Sequence, residues 1–296
     1  MASVHESVLS RDGRRYLWVA VAVVVLAIGV YAWRAPAGLP GGGTWLGYAL
    51  GTLAALLILW LTALGVRKRS YASKLGTVRG WVSAHVYLGL AVVPLATLHA
   101  GFRFGWNVHT LAYALTCVVV ALGVVGVVLY ARYPERMSAN RQGRTREQLI
   151  EEISDLDARA VRVARGLPAE YDEAMRSGRD RLMLGGSALS LLFGRDGSSV
   201  VLPRAGGSSG PVPNPYQATL LAWLGDRLAR SEDGELSVRV QELLTLTSAK
   251  RGALERMKLD LRLQAWLDVW LYLHVPLSFG LLAALLAHVA SVFIYW

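Results

Sequence analysis

Residues 266–296 read WLDVWLYLHVPLSFGLLAALLAHVASVFIYW, an apolar run holding one acid, Asp268, and two histidines, His274 and His288. Residues 81–102 read WVSAHVYLGLAVVPLATLHAGF and carry His85 and His99. In both stretches the histidines stand fourteen residues apart. At about 100° per residue that spacing falls roughly 40° short of four full turns, so both imidazoles of a helix share one face. Their Cα atoms are about 21 Å apart along the axis, which fits within a hydrocarbon core about 30 Å thick. Ionisable groups inside apolar spans are rare, and a neutral imidazole still needs partners there. Two such helices side by side present two histidine pairs at two depths, and each pair can hold a planar metallocofactor from both faces. The expected cofactors are two haems, with His85 and His274 on one iron and His99 and His288 on the other.

Composition agrees with a membrane setting. Apolar residues make up 54% of the chain, mean hydropathy is +0.38, and the apolar residues come in long uncharged blocks. The single cysteine, Cys117, lies inside one of those blocks. It excludes disulfides, cysteine-rich iron–sulfur ligation and the C-x-x-C-H attachment of c-type haem, so any haem is non-covalent and b-type. The net charge of +10 would suit nucleic acid, but its distribution follows membrane topology instead, and no nucleic-acid partner is expected.

The expected architecture is an all-α integral membrane protein with five transmembrane helices, at about 16–33, 44–66, 81–102, 108–131 and 264–296. Spans two to five form a four-helix di-haem bundle. Residues 1–132 thus hold four spans, and 133–263 a mostly helical insertion. Basic-then-apolar is also the signal-peptide pattern, but the first block is long enough to span and shows no convincing small-residue cleavage site. Within the insertion, Thr145 to Arg165 reads as an amphipathic helix, with Leu149, Ile150, Ile153, Leu156 and Val161 on its apolar side. Further helical stretches fall near Tyr216 to Arg230 and Leu236 to Leu263. Ala188 to Phe193 and Ser198 to Leu202, on either side of Gly194–Gly197, read as a hairpin, and Gly206 to Pro215 as a loop. No phosphate loop, dinucleotide fingerprint, metal-ligand cluster or triad spacing is found there, so the insertion reads as a cap or docking surface.

All but two of the 31 Lys and Arg residues, Arg34 and Arg103, fall in the N-terminus, the 67–80 connection and the insertion. Five basic residues in 67–80 against one in 34–43 place the N-terminus and insertion in the cytoplasm and the C-terminus outside. The histidine-bearing spans then run parallel, which pairs His85 with His274 near the cytoplasmic side and His99 with His288 near the outer side. Charge and spacing are independent arguments and give the same pairing.

Other positions fit the same chemistry. Each ligating imidazole needs an acceptor for its Nδ1–H, for which Thr97, Ser278 and backbone carbonyls are candidates. Gly89, Gly280, Gly123 and Gly126 leave room for a porphyrin edge or a packed helix. Arg103 is placed for the propionates of the outer haem, and Arg67, Arg69, Lys74 or Arg79 for those of the inner one. His109 opens the fourth span and reads as an interfacial histidine or as a contact to a propionate or quinone. Asp268 reads as an interfacial acid or as a proton donor to quinone.

The segments His85-Val-Tyr-Leu-Gly-Leu through Leu98-His99-Ala-Gly-Phe, and Leu273-His274-Val-Pro-Leu-Ser through Ala287-His288, resemble the di-haem membrane cytochrome b subunits of respiratory oxidoreductases. The two equal spacings are similar to the haem-binding core of complex III cytochrome b, over about 44–132 and 264–296. The resemblance implies a bacterial inner-membrane subunit of a respiratory chain. It would carry electrons across the bilayer between a quinone pool and a haem or iron–sulfur partner in a larger redox complex. The chain lacks the Pro-Glu-Trp-Tyr motif of the complex III quinol-oxidation site and carries an insertion outside that pattern. The rival readings are a self-contained quinone or metal reductase and a proton-coupled transporter with a histidine relay. The transporter would show inverted repeats or broken helices, for which only Pro94 and Pro276 speak.

Overall fold

A computed structural model describes residues 14–37, 40–70, 76–203 and 208–294. Its elements, in chain order, are α1 (Arg15–Arg34), α2 (Trp45–Arg69), α3 (Val78–Ala100), α4 (Val108–Arg141), α5 (Arg146–Ala164), α6 (Ala169–Asp180), α7 (Ala188–Leu192), β1 (Ser199–Pro203), β2 (Ser209–Pro213), α8 (Ala218–Ala229) and α9 (Gly234–Ile294). Five of these helices are long and apolar enough to cross a membrane, as expected for a multi-pass membrane protein. The chain divides into two compact units, 1–131 with 270–296, and 132–269.

The first unit is helical because its apolar blocks satisfy every backbone polar group within themselves, the only solution open to a chain in hydrocarbon. Side-chain caps set where two helices begin. Thr44 accepts from the Gly47 N–H at the start of α2, and Thr77 from the Gly80 N–H at the start of α3. Helix α3 stops at Gly101, whose φ of 59° is the left-handed conformation that suits glycine. A side chain there would also meet the Pro40 carbonyl oxygen at 2.5 Å, so residue 101 can be nothing larger. Ala27 and Tyr31 of α1, Leu46, Leu50 and Ala54 of α2, and Leu95 and Leu98 of α3 form one buried cluster. Ile58, Val92 and Leu281 form a second and bring in the apolar part of α9.

The second unit has a core of its own. Buried residues of α5, α6, β1, α8 and the Val240–Leu246 part of α9 make one cluster, and Ile153 with Ala253, Leu254 and Met257 makes another. Helix α5 opens on a capping box, Thr145 with Gln148, which satisfies two otherwise unpaired N–H groups. Three carboxylates are buried with cations. Asp157 meets Lys250 at 2.6 Å, and Asp260 receives Arg141 at 2.6 Å and Arg146 at 2.7 Å. Asp196 meets Lys258 and also accepts the Ser198 and Tyr216 N–H groups.

Several sequence expectations change here. The described part of the apolar run, 266–294, is the end of a 61-residue helix, and α4 continues past Ala131 to Arg141. Neither helix is confined to its apolar stretch: α4 runs on into the polar residues that follow it and α9 begins in the polar residues that precede it, with Pro134 within α4 and Pro276 within α9. The hairpin is displaced. Residues 188–192 are helical, capped by the Ser187 side chain on the Ser190 N–H, and β1 pairs antiparallel with β2, in the stretch expected to be loop. The prolines of β2 hid it, but in a two-stranded ribbon one side of each strand carries no ladder bonds, and Pro there costs none. Helix α6 was not expected.

Candidate functional site

Helix α3 places His85 in its second turn and His99 in its last, and α9 places His274 and His288 within its apolar part. The structure brings them together as two pairs. The ring centres of His85 and His274 are 6.5 Å apart, and those of His99 and His288 are 5.8 Å apart. Metal–imidazole bonds of about 2.0 Å, with about 1.2 Å from nitrogen to ring centre, put two imidazoles on opposite sides of one metal roughly 6.4 Å apart. Both pairs therefore stand close to the separation that bis-imidazole ligation requires.

Two of the four rings are held by backbone. His85 Nδ1 lies 3.1 Å from the Leu61 carbonyl oxygen and His99 Nδ1 lies 2.7 Å from that of Gly47. A carbonyl can only accept, so Nδ1 carries the proton in each and Nε2 keeps its lone pair for a metal. Both carbonyls belong to α2, a helix without histidine. Thr97 and Ser278 do not serve as acceptors. Their hydroxyls donate to the carbonyls of Val93 and His274, one turn back on their own helices.

Glycines on α2 make room for the His99 ring. A Cβ at Gly51 would sit 2.6 Å from its Cε1 and Nδ1, and one at Gly42, in the preceding loop, 3.7 Å from Cε1. Gly47 and Gly51 form a small-xxx-small pair, the available sequence signal for this close approach. His274 is held differently. Its Nδ1 is buried without a hydrogen-bond partner, and the Trp270 indole stacks on its ring at 5.1 Å and 18°. Trp270 is fixed in turn, because Nε1 donates to the Leu122 carbonyl at 2.7 Å and the ring fills a slot at Gly126, where a Cβ would come within 2.2 Å. Trp270 precedes His274 by one turn, a spacing readable in the sequence once the histidine is recognised as a site.

An apolar cavity of about 320 Å³ opens between His85 and His274, lined also by Tyr87, Gly89, Gly123, Thr62, Thr116 and Ser278 among aliphatic side chains from four helices. That size is at the lower end for a small-molecule or cofactor site. At Gly89 a Cβ would find only Leu61, at 3.9 Å, and at Gly280 nothing at all. No acid lines the cavity. The donor set and ring separations of both pairs, and the apolar cavity at the His85–His274 pair, fit a planar metallocofactor such as haem, which His85 with His274 and His99 with His288 would hold.

Among the remaining candidates, the Arg103 guanidinium lies 3.9 Å from where a Gly41 Cβ would stand, on the loop that also packs against His99. Arg67 donates to the carbonyls of Ser70 and Gly76 and ties the ends of the 70–76 connection. Arg69 and Arg79 are exposed, and Lys74 lies outside the described residues. His109 is exposed and meets His288 through Nδ1 of each ring, with ring centres 4.6 Å apart. Asp268 accepts a hydrogen bond from Gln264 Nε2 at 2.9 Å. Comparisons with protein-family models, curated proteins and solved structures return no match for this chain.

Proposed function

We propose that this protein is a membrane cytochrome that carries electrons across the bilayer through two b-type haems. It would link a quinone pool to a haem or iron–sulfur partner within a larger respiratory complex of a bacterial inner membrane. The observation that carries the reading is the pairing of four histidines, two on α3 and two on α9, close to the ring separation that two imidazoles holding one metal would need. His85 with His274 and His99 with His288 would each hold a haem, which would supply a one-electron couple.

The chain's own residues bind, orient and insulate. Leu61 and Gly47 fix the tautomers of His85 and His99 through their carbonyl oxygens, and Trp270 fixes the plane of His274. Hydrogen bonding at Nδ1 raises the basicity of Nε2 and strengthens it as a ligand. The aliphatic lining of the cavity excludes water and keeps the local dielectric low. Arg103 offers a cation to a propionate beside the His99 pair. The two sites stand at two depths of the bilayer, the His85 pair toward the cytoplasm and the His99 pair toward the outside, with the insertion cytoplasmic.

The test is a reduced-minus-oxidised spectrum and a pyridine haemochrome assay on the purified protein. The expected result is a b-type α-band and two haems per chain. His85→Leu or His274→Leu should each leave one haem, as should His99→Leu or His288→Leu. Colourless protein would overturn the proposal.

A further inference from the structure

Three imidazoles meet at the end of the bundle where the two-haem reading needs only two. His109, in the first turn of α4, faces His288 edge to face, with ring planes at 88° and Nδ1 against Nδ1. Among the described residues, the His288 ring meets no backbone carbonyl, unlike the rings of His85 and His99. His109 stands where those two have a carbonyl oxygen.

We infer that His109 is a positioning residue for His288, accepting the His288 Nδ1–H and so holding the His288 ring with its Nε2 free to ligate. The inference rests on the proposed two-haem function. Two neutral imidazoles that meet through Nδ1 share a single proton, so one donates and the other accepts. If His109 donates, the proton of His288 sits on Nε2 and that nitrogen cannot ligate. Ligation through Nε2 therefore selects one arrangement, with His288 donating from Nδ1, His109 accepting, and the proton of His109 on its own Nε2. An Nδ1–H that is hydrogen-bonded makes Nε2 more basic, which favours the oxidised iron. Of the three ligands with such a partner, His288 is the one whose partner is a side chain, so its support can be removed without moving a backbone.

The experiment compares wild type, His109→Leu and His109→Gln, the last retaining an acceptor in its amide oxygen. Redox titration and low-temperature EPR of the oxidised protein are read on each, and His99→Leu identifies the signals of the His99–His288 haem. In His109→Leu that haem should show an upward shift in midpoint potential and an altered low-spin EPR signal, or be lost, with the other haem unchanged. His109→Gln should restore the wild-type signals. Unchanged signals in His109→Leu, equal change at both haems, or a Gln variant that behaves as the Leu variant would overturn the inference while leaving the two-haem reading intact. A colourless wild type removes both.

Discussion

Gly51 shows how far a single residue controls the candidate site. The His99 ring occupies the space a Cβ would need, at 2.6 Å, and leaving that space would break its 2.7 Å hydrogen bond to the Gly47 carbonyl. Gly51→Ala should therefore expel His99 from its place and lower the haem content from two per chain toward one, measured as pyridine haemochrome against protein. Full occupancy in that variant would show that the ring does not sit here in the loaded protein. Gly126→Val should act in the same manner on the other pair, by displacing Trp270 from His274. The histidines themselves were legible, because their spacing repeats in two apolar runs. The residues that hold them were not. Leu61 and Gly47 act through carbonyl oxygens, which every residue has, and the packing of α2 against α3 alone decides which of them an imidazole meets.

Among the elements, the helices of the second unit are tied by buried charges. Burial raises the Asp157 carboxyl above its ordinary range despite the nearby Lys250, and burial lowers the Lys250 ammonium despite Asp157. The raised acid contributes most to stability below the ordinary carboxylate pKa and loses that contribution as pH rises through its folded value. The depressed base contributes above the ordinary lysine pKa and loses it as pH falls through its folded value. At neutral pH the pair is therefore held at a desolvation cost. Lys250→Met alone should destabilise the unit by about 3–5 kcal/mol, because it strands a buried charge, whereas Asp157→Leu with Lys250→Met should be neutral or stabilising. Thermal unfolding of the full chain in detergent checks both. Asp260 behaves oppositely. Burial would raise its pKa, but hydrogen bonds from Arg141 and Arg146 outweigh that and hold the carboxyl below the usual range. Its contribution is present above the ordinary carboxylate pKa and lost as pH falls through its folded value, so Asp260→Asn should flatten the acid limb of a stability–pH curve. Thr145→Ala, which removes the cap of α5, should cost about 1 kcal/mol. The extent of α5 was readable from sequence as Thr145 to Arg165; the hairpin was misplaced because its second strand is written in residues that ordinarily signal loops.

At the scale of the whole molecule, the proposed topology places both ends of the second unit on one side of the membrane. Reporter fusions after residue 140 and within 230–235 should both report the cytoplasm, and a fusion at the C-terminus the outside. A C-terminal reporter on the same side as those two fusions would mean that α9 does not cross the membrane and would overturn the proposed topology. The sequence by itself determined the apolar helices, the extent of the polar insertion and the four histidines. These depend on hydropathy and on the 3.6-residue period, which are local properties of the chain. Tertiary structure decided the pairing distances, the two carbonyls and one indole that orient three of the imidazoles, the contact of His109 with His288 and the glycines that admit His99. Apart from the Trp270–His274 stack, which lies within α9, each of these is a contact between segments distant in sequence, and only the packing of one helix surface on another determines which residues meet.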